Sequence, residues 1–203
     1  MKVVATFLML SLLSVAQSLD QPPQFKQARR LYFQGSDGDK KAYAQADEQF
    51  SELYRQHRND PRVQVYYGSL QLVEAAHTWA LWKKNSLSRE GIELMDEAVA
   101  AAPSDLEIRF IRAATTYDLP GFFHRREQSE QDFAYLAGHA ETAAKTGALE
   151  PRLAAASLYF HGAFLRDAHK LQAATAAWED AIAIAPQSRA AQESREALNK
   201  AGG

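Results

Sequence analysis

The chain has 203 residues, 46% of them hydrophobic and 24% charged, a balance that supports a folded core and excludes long disorder. Its formal charge of −2 lacks the basic footprint of a nucleic-acid binder. Cysteine is absent, which rules out disulfides, thiolate metal sites and a lipidated cysteine.

From the N-terminus, Lys2 precedes an uncharged, largely apolar run from Val3 to Ala16, and Ala16-Gln17-Ser18 offers small residues where a signal peptidase reads them. The run is short of the ~20 apolar residues needed to span a bilayer as a helix. The expectation is a signal peptide over residues 1–18, cleaved near Ser18, and a single mature domain over 19–203, periplasmic or secreted.

Beyond the leader, apolar and alanine positions recur with helical period, and no alternating strand pattern competes. Breakers fall at Gly35 to Gly38, Asn59-Asp60-Pro61, Pro103-Ser104-Asp105, Leu119-Pro120-Gly121, Thr146-Gly147 and Pro186. The pattern predicts helices near 23–34, 39–57, 61–82, 88–101, 105–118, 127–145, 151–166, 168–184 and 187–200. Pro61 and Pro151 suit a first helical position, and Ser104 or Asp105 suits a cap on the fifth helix. The last helix, with Ala190, Ala191, Ala197 and Leu198 on one side and charge elsewhere, reads as a solvating cap.

One spacing recurs within these helices. Ala174, Trp178, Ala181 and Pro186 are matched by Gly91, Met95, Ala98 and Pro103, and by Ala46, Phe50 and Leu53 with Arg58 in the proline's place; Phe133 and Leu136 continue the large and following positions. Gly68, Ala113 and Gly162 supply a small residue in the preceding helix. Two helices cross closely only where neither carries bulk beyond Cβ, so small-large-small steps of this kind describe packed hairpins. The arrangement resembles the tetratricopeptide-repeat family. The repeats are irregular: Phe50, Met95, Phe133 and Trp178 are 45, 38 and 45 residues apart, against the family's ~34.

The resemblance implies an all-α fold, a right-handed α-solenoid of about four hairpins plus a C-terminal capping helix. It also implies a non-catalytic scaffold that holds a protein or peptide on the concave face lined by the first helices of successive hairpins. Carried onto this sequence, that face comprises Arg62, Val65, Ser69, Leu72, Phe110, Tyr117, Asp118, Tyr159, Ala163 and Arg166. Phe110, Tyr117 and Tyr159 would form an aromatic stripe with Arg166 at its margin.

The segments Thr78–Lys84 and Leu119–Arg126 lie between paired helices, and turns of neighbouring hairpins emerge on one edge. Trp79, Trp82, Lys83 and Lys84 would therefore neighbour Phe122, Phe123, Arg125 and Arg126. Ring faces and cationic tips together suit an anionic ligand or peripheral contact with a membrane surface, the alternative reading.

Catalysis has little support. His57, His77, His124, His139, His161 and His169 form no close metal-ligand pair, and neither a Gly-x-Ser-x-Gly nor a phosphate-cradling loop occurs. A metal-dependent hydrolase built on His161, His169 and Asp167 is the remote alternative. No cofactor, metal or nucleic-acid partner is expected.

Overall fold

The computed structural model describes residues 22–201; the expected leader lies outside them. Nine α-helices and no strand occur among the described residues: α1 (Pro23–Ser36), α2 (Lys40–Gln56), α3 (Pro61–His77), α4 (Leu81–Ala101), α5 (Leu106–Thr116), α6 (Arg126–Thr146), α7 (Pro151–Asp167), α8 (Leu171–Ile184) and α9 (Arg189–Ala201). A single 3-10 turn, Gly121–Phe123, lies between α5 and α6.

Capping explains most boundaries. Asp39, Asp60 and Asp105 each accept hydrogen bonds from two backbone N–H groups of the first turn that follows. Pro61 and Pro151 occupy first-turn positions, where a missing N–H leaves no bond unmade. At the far end of α6, Gly147 takes φ 75°, a conformation glycine adopts without a Cβ penalty.

One boundary differs from expectation. Instead of a third helix to 82 and a fourth from 88, α3 stops at His77, Thr78 and Ala80 are extended, and α4 starts at Leu81. The apolar pattern runs on through Ala75, Ala76 and Ala80 and holds no Gly or Pro, so periodicity gives no stop signal. The glycine crossing supplies the missing constraint. Gly68 and Gly91 meet, and a hairpin crossing there needs arms of similar length on either side. A turn at 78–80 provides them; a turn at 83–87 does not.

The small residues sit where helices touch. A Cβ on Gly91 would lie 2.5 Å from the Gly68 carbonyl oxygen, and one on Gly68 would lie 2.7 Å from that of Gly91. At Gly162 a Cβ would collide with the Trp178 indole, whose Nε1–H donates to the Tyr159 carbonyl at 3.2 Å. Phe50, Met95, Phe133 and Trp178, the large members of the recurrent spacing, are all completely buried, as are Ala46, Ala98, Ala113, Leu136, Ala174 and Ala181.

Neighbouring helices pack as α1/α2, α3/α4, α5/α6 and α7/α8, and α9 lies against both α8 and α7. Contacts of α2 with α3, α4 with α5 and α6 with α7 join successive pairs, as do those of α3 with α5 and α5 with α7. Ala190, Ala191 and Ser194 face inward from α9, while its charged residues remain outside.

Candidate functional site

Two regions carry the aromatic and basic residues singled out by sequence. The first is the face formed by α3, α5 and the start of α7. There α1 lies across it. Arg29 forms a two-pronged pair with Glu107 of α5, Nε to Oε1 at 2.7 Å and Nη2 to Oε2 at 2.5 Å, and also reaches Glu150 just ahead of α7. Tyr66 donates its hydroxyl to Glu107 at 2.6 Å, while the Tyr32 and Ser69 hydroxyls share a bond at 2.7 Å, and Ser69 another with Thr115. Phe25, Tyr32 and Phe33 all pack edge-on to Tyr66. Arg29 and Arg152 each place a guanidinium over the Phe33 ring.

Electrostatics match this packing. Burial opposes the Arg29 charge, but the hydrogen bonds and charge of Glu107 outweigh it and push the pKa upward. Tyr66 is driven up by burial first and by Glu107 next, so it stays a donor. Burial likewise raises Tyr32.

The expected concave-face stripe needs correction accordingly. Phe110 is only 7% exposed and meets the Phe133 ring edge-on. Val65, Ser69, Leu72 and Ala163 are also buried. Tyr117 is half-buried against Phe133, Phe160 and Phe164, and half-buried Tyr159 packs on Phe160. Only Arg62, Asp118 and Arg166 are open, and the two arginines are ion-paired, with Asp105 and Asp167 respectively. Aromatic residues on first helices thus fill the interior; no free stripe is left.

The second region is the edge. Trp79 is 92% exposed, Trp82 77%, Leu81 75% and Phe122 72%. Leu171, the remaining exposed large apolar residue among those described, is much less open. The second interhelix segment lies against α4: Phe122 and Phe123 line a cavity of about 270 Å³ with Asn85, Ser88, Arg89, Ile92 and Glu93, a stretch that begins just beyond Thr78–Lys84. Leu81, Asn85, Ser88 and Ile92 recur at helical spacing, so Leu81 extends the stripe of α4 that faces the two phenylalanines. Their rings lie 4.5 Å apart, and His124, at φ 54° and ψ 39°, closes the turn in the left-handed region.

The edge cations divide by role. Arg125 is largely buried and pairs with Asp96, which Arg112 also holds; Arg112 continues to Asp132, and Arg109 joins there. Arg125 therefore ties the α5–α6 connection onto α4, a correction to its expected role as a ligand-facing charge. Arg126 pairs with Asp167 and lies over the Phe164 ring. Lys83 pairs with Glu74, whereas Lys84 is exposed and has no side-chain hydrogen bond or ion pair among the described residues. Sequence reasoning missed Arg29, Glu107, Asp96 and Asp132, since single charges on helix faces look solvated until a partner helix is placed.

The third grouping stays apart. Half-buried His161 keeps Nδ1 without a hydrogen bond, and burial lowers its pKa. His169 is exposed at φ 60° in the turn after α7, and Asp167 is held by Arg126 and Arg166. Among the described residues, no group of three or more His, Asp or Glu is placed to hold a metal, and no helix is long and apolar enough to cross a membrane. No protein-family model, curated protein or solved structure matches the chain, so its function rests on this geometry.

Proposed function

We propose that the chain is a non-catalytic docking module of the cell envelope, a right-handed tetratricopeptide-like array of about four hairpins and a capping helix. It engages its partner through the aromatic edge and not through the first-helix face. The single observation that carries this reading is the set of four large apolar side chains each more than two-thirds exposed, Trp79, Leu81 and Trp82 within four consecutive residues and Phe122 in the turn that packs on α4. Clustered apolar exposure of this kind marks interaction surfaces, whereas isolated exposed residues do not. The residues of the recurrent small-large-small spacing lie at close helix contacts, which supports the repeat reading. The first-helix face is poorly suited to a partner, because α1 occupies its Tyr66, Ser69 and Glu107 part and the rings of Phe110, Tyr117 and Tyr159 pack on Phe133 and Phe160.

Photo-crosslinking tests the choice of surface. A photoreactive side chain replacing Trp82 or Phe122 in the full chain, expressed in cells, is expected to yield adducts. The same group at Arg62 or Arg166 is expected to yield none. Adducts confined to positions 62 and 166 would move the site to the first-helix face, and none at any position would end the docking reading.

A further inference from the structure

The edge reading leaves the partner's chemistry open, and the local charge and shape narrow it. Resting on that reading, we infer that the aromatic edge docks on an anionic lipid surface. The apolar groups project outward. Trp79 stands on the three-residue link between α3 and α4, and Trp82 on the first turn of α4; neither indole has a ring or hydrogen-bond partner among the described residues. A protein partner would have to offer a shaped recess for each tip. A bilayer interface accepts projecting indoles without any complementary shape, with ring bodies among the acyl chains and N–H groups at the headgroups.

Charge points the same way. In a chain of net charge −2, residues 75–89 contain Lys83, Lys84 and Arg89 and no carboxylate, and residues 119–126 contain Arg125 and Arg126 and again none. Carboxylates from flanking helices neutralise Lys83, Arg125 and Arg126. Lys84 and Arg89, both on α4, are exposed and have no ion pair among the described residues. The start of α4 adds to their effect, since Ala80 gives no side-chain cap and the first turn has no acidic residue. Exposed indoles flanked by unpaired cations are the combination that partitions to anionic interfaces.

The chain carries its own reporter. Trp178 is completely buried, so a spectral change on membrane binding comes from Trp79 and Trp82. With vesicles of equimolar phosphatidylcholine and phosphatidylglycerol at low salt, the mature chain is expected to co-sediment. Its tryptophan emission should shift to the blue and be quenched by chain-brominated lipid. Phosphatidylcholine vesicles should bind it far less, and added salt should release it. Lys84→Gln with Arg89→Gln should weaken partition by about 25-fold, at roughly fivefold per charge. Trp79→Ser with Trp82→Ser should abolish it while far-UV dichroism stays native.

Equal partition of the double tryptophan variant, or no partition of the wild type into either vesicle, overturns the lipid assignment. The crosslinks then separate the two levels. Polypeptide adducts at positions 82 and 122 without vesicle binding keep the edge and replace the lipid by a protein. Absence of both removes the edge as well.

Discussion

The first-helix face and the edge are built from the same ingredients, aromatic rings beside arginines and lysines, and they end in opposite states. On the face, Arg29 finds Glu107 and Glu150, Phe33 is flanked by Arg29 and Arg152, and Tyr32 shares a hydrogen bond with Ser69. At the edge, Arg125 and Arg126 are drawn onto Asp96 and Asp167, and Trp79, Leu81, Trp82 and Phe122 are left in solvent. The difference is a helix: α1 covers the first region, and no described element covers the second. Aromatic-basic composition therefore does not distinguish a closed core from an open surface.

The largest loss is expected at the ion network that ties the α5–α6 connection onto α4. Asp132, 2% exposed, accepts hydrogen bonds from Arg109, Arg112 and Gln128. Asp132→Ala leaves largely buried guanidiniums without that carboxylate and is expected to cost ~3–5 kcal/mol. The measurement is a lowered urea midpoint at unchanged slope. A loss under ~1 kcal/mol would mean that Asp96 alone holds the network.

On the closed face, Arg29→Met should destabilise by about 2–3 kcal/mol, because Glu107 then loses its two-pronged partner. Hydrogen exchange should accelerate in α1 while α8 keeps its protection. Uniform acceleration would contradict a local covering role for α1.

The shared scaffold is probed by its glycines. Gly91→Ala sets a Cβ against the Gly68 carbonyl oxygen and should cost ~1–3 kcal/mol, despite alanine's better helix propensity. Gly138, on α6 with open space around it, is the control: Gly138→Ala should stabilise by up to ~1 kcal/mol. If both behave alike, the close crossing is not what holds α3 to α4.

Acid should act mainly on the paired groups. Burial works against ionised Glu150, but hydrogen bonds from Arg152 and Arg29 outweigh it and lower its pKa; the Arg166 hydrogen bond, helped by Arg126, lowers Asp167. Unfolded carboxylates take protons first, so the stability these pairs contribute is present above the ordinary carboxylate range and lost as pH falls through the lowered folded values. His161, lowered by burial, has the same sign at higher pH: stability starts to decline once unfolded histidine protonates. His161→Gln should flatten that upper part of a stability-pH profile and leave the acid limb in place.

Smallest of all should be the effect of Trp79→Ser with Trp82→Ser on stability, within about 0.5 kcal/mol, since neither ring is packed. A large thermal shift would show that the indoles belong to the core and not to an interaction surface.

Helical class and most boundaries were readable from periodicity, from Asp60, Asp105 and Gly147 at helix ends, and from Pro61 and Pro151 at helix starts. The buried large positions Phe50, Met95, Phe133 and Trp178 were readable from spacing. These features depend on contacts within one helix or between helices joined by a short link, and such contacts leave regular intervals in the chain. The turn at Thr78–Ala80 was recoverable only by combining pattern with the Gly68–Gly91 crossing. The alternation of hairpins leads one to expect the Trp79–Trp82 segment beside Phe122–Phe123, whereas the cavity that the two phenylalanines line is completed by α4 from Asn85 onward.

Periodicity and spacing along the chain set where helices run and which residues let them approach, whereas the packing of distant helices selects which aromatic surface stays open. Arg29 lies 78 residues from Glu107 and 121 from Glu150, and no local spacing encodes which distant helix an amphipathic segment such as α1 will cover. Coverage depends on the three-dimensional course of the chain, and that course sends Phe110 inward and leaves Trp79 in water.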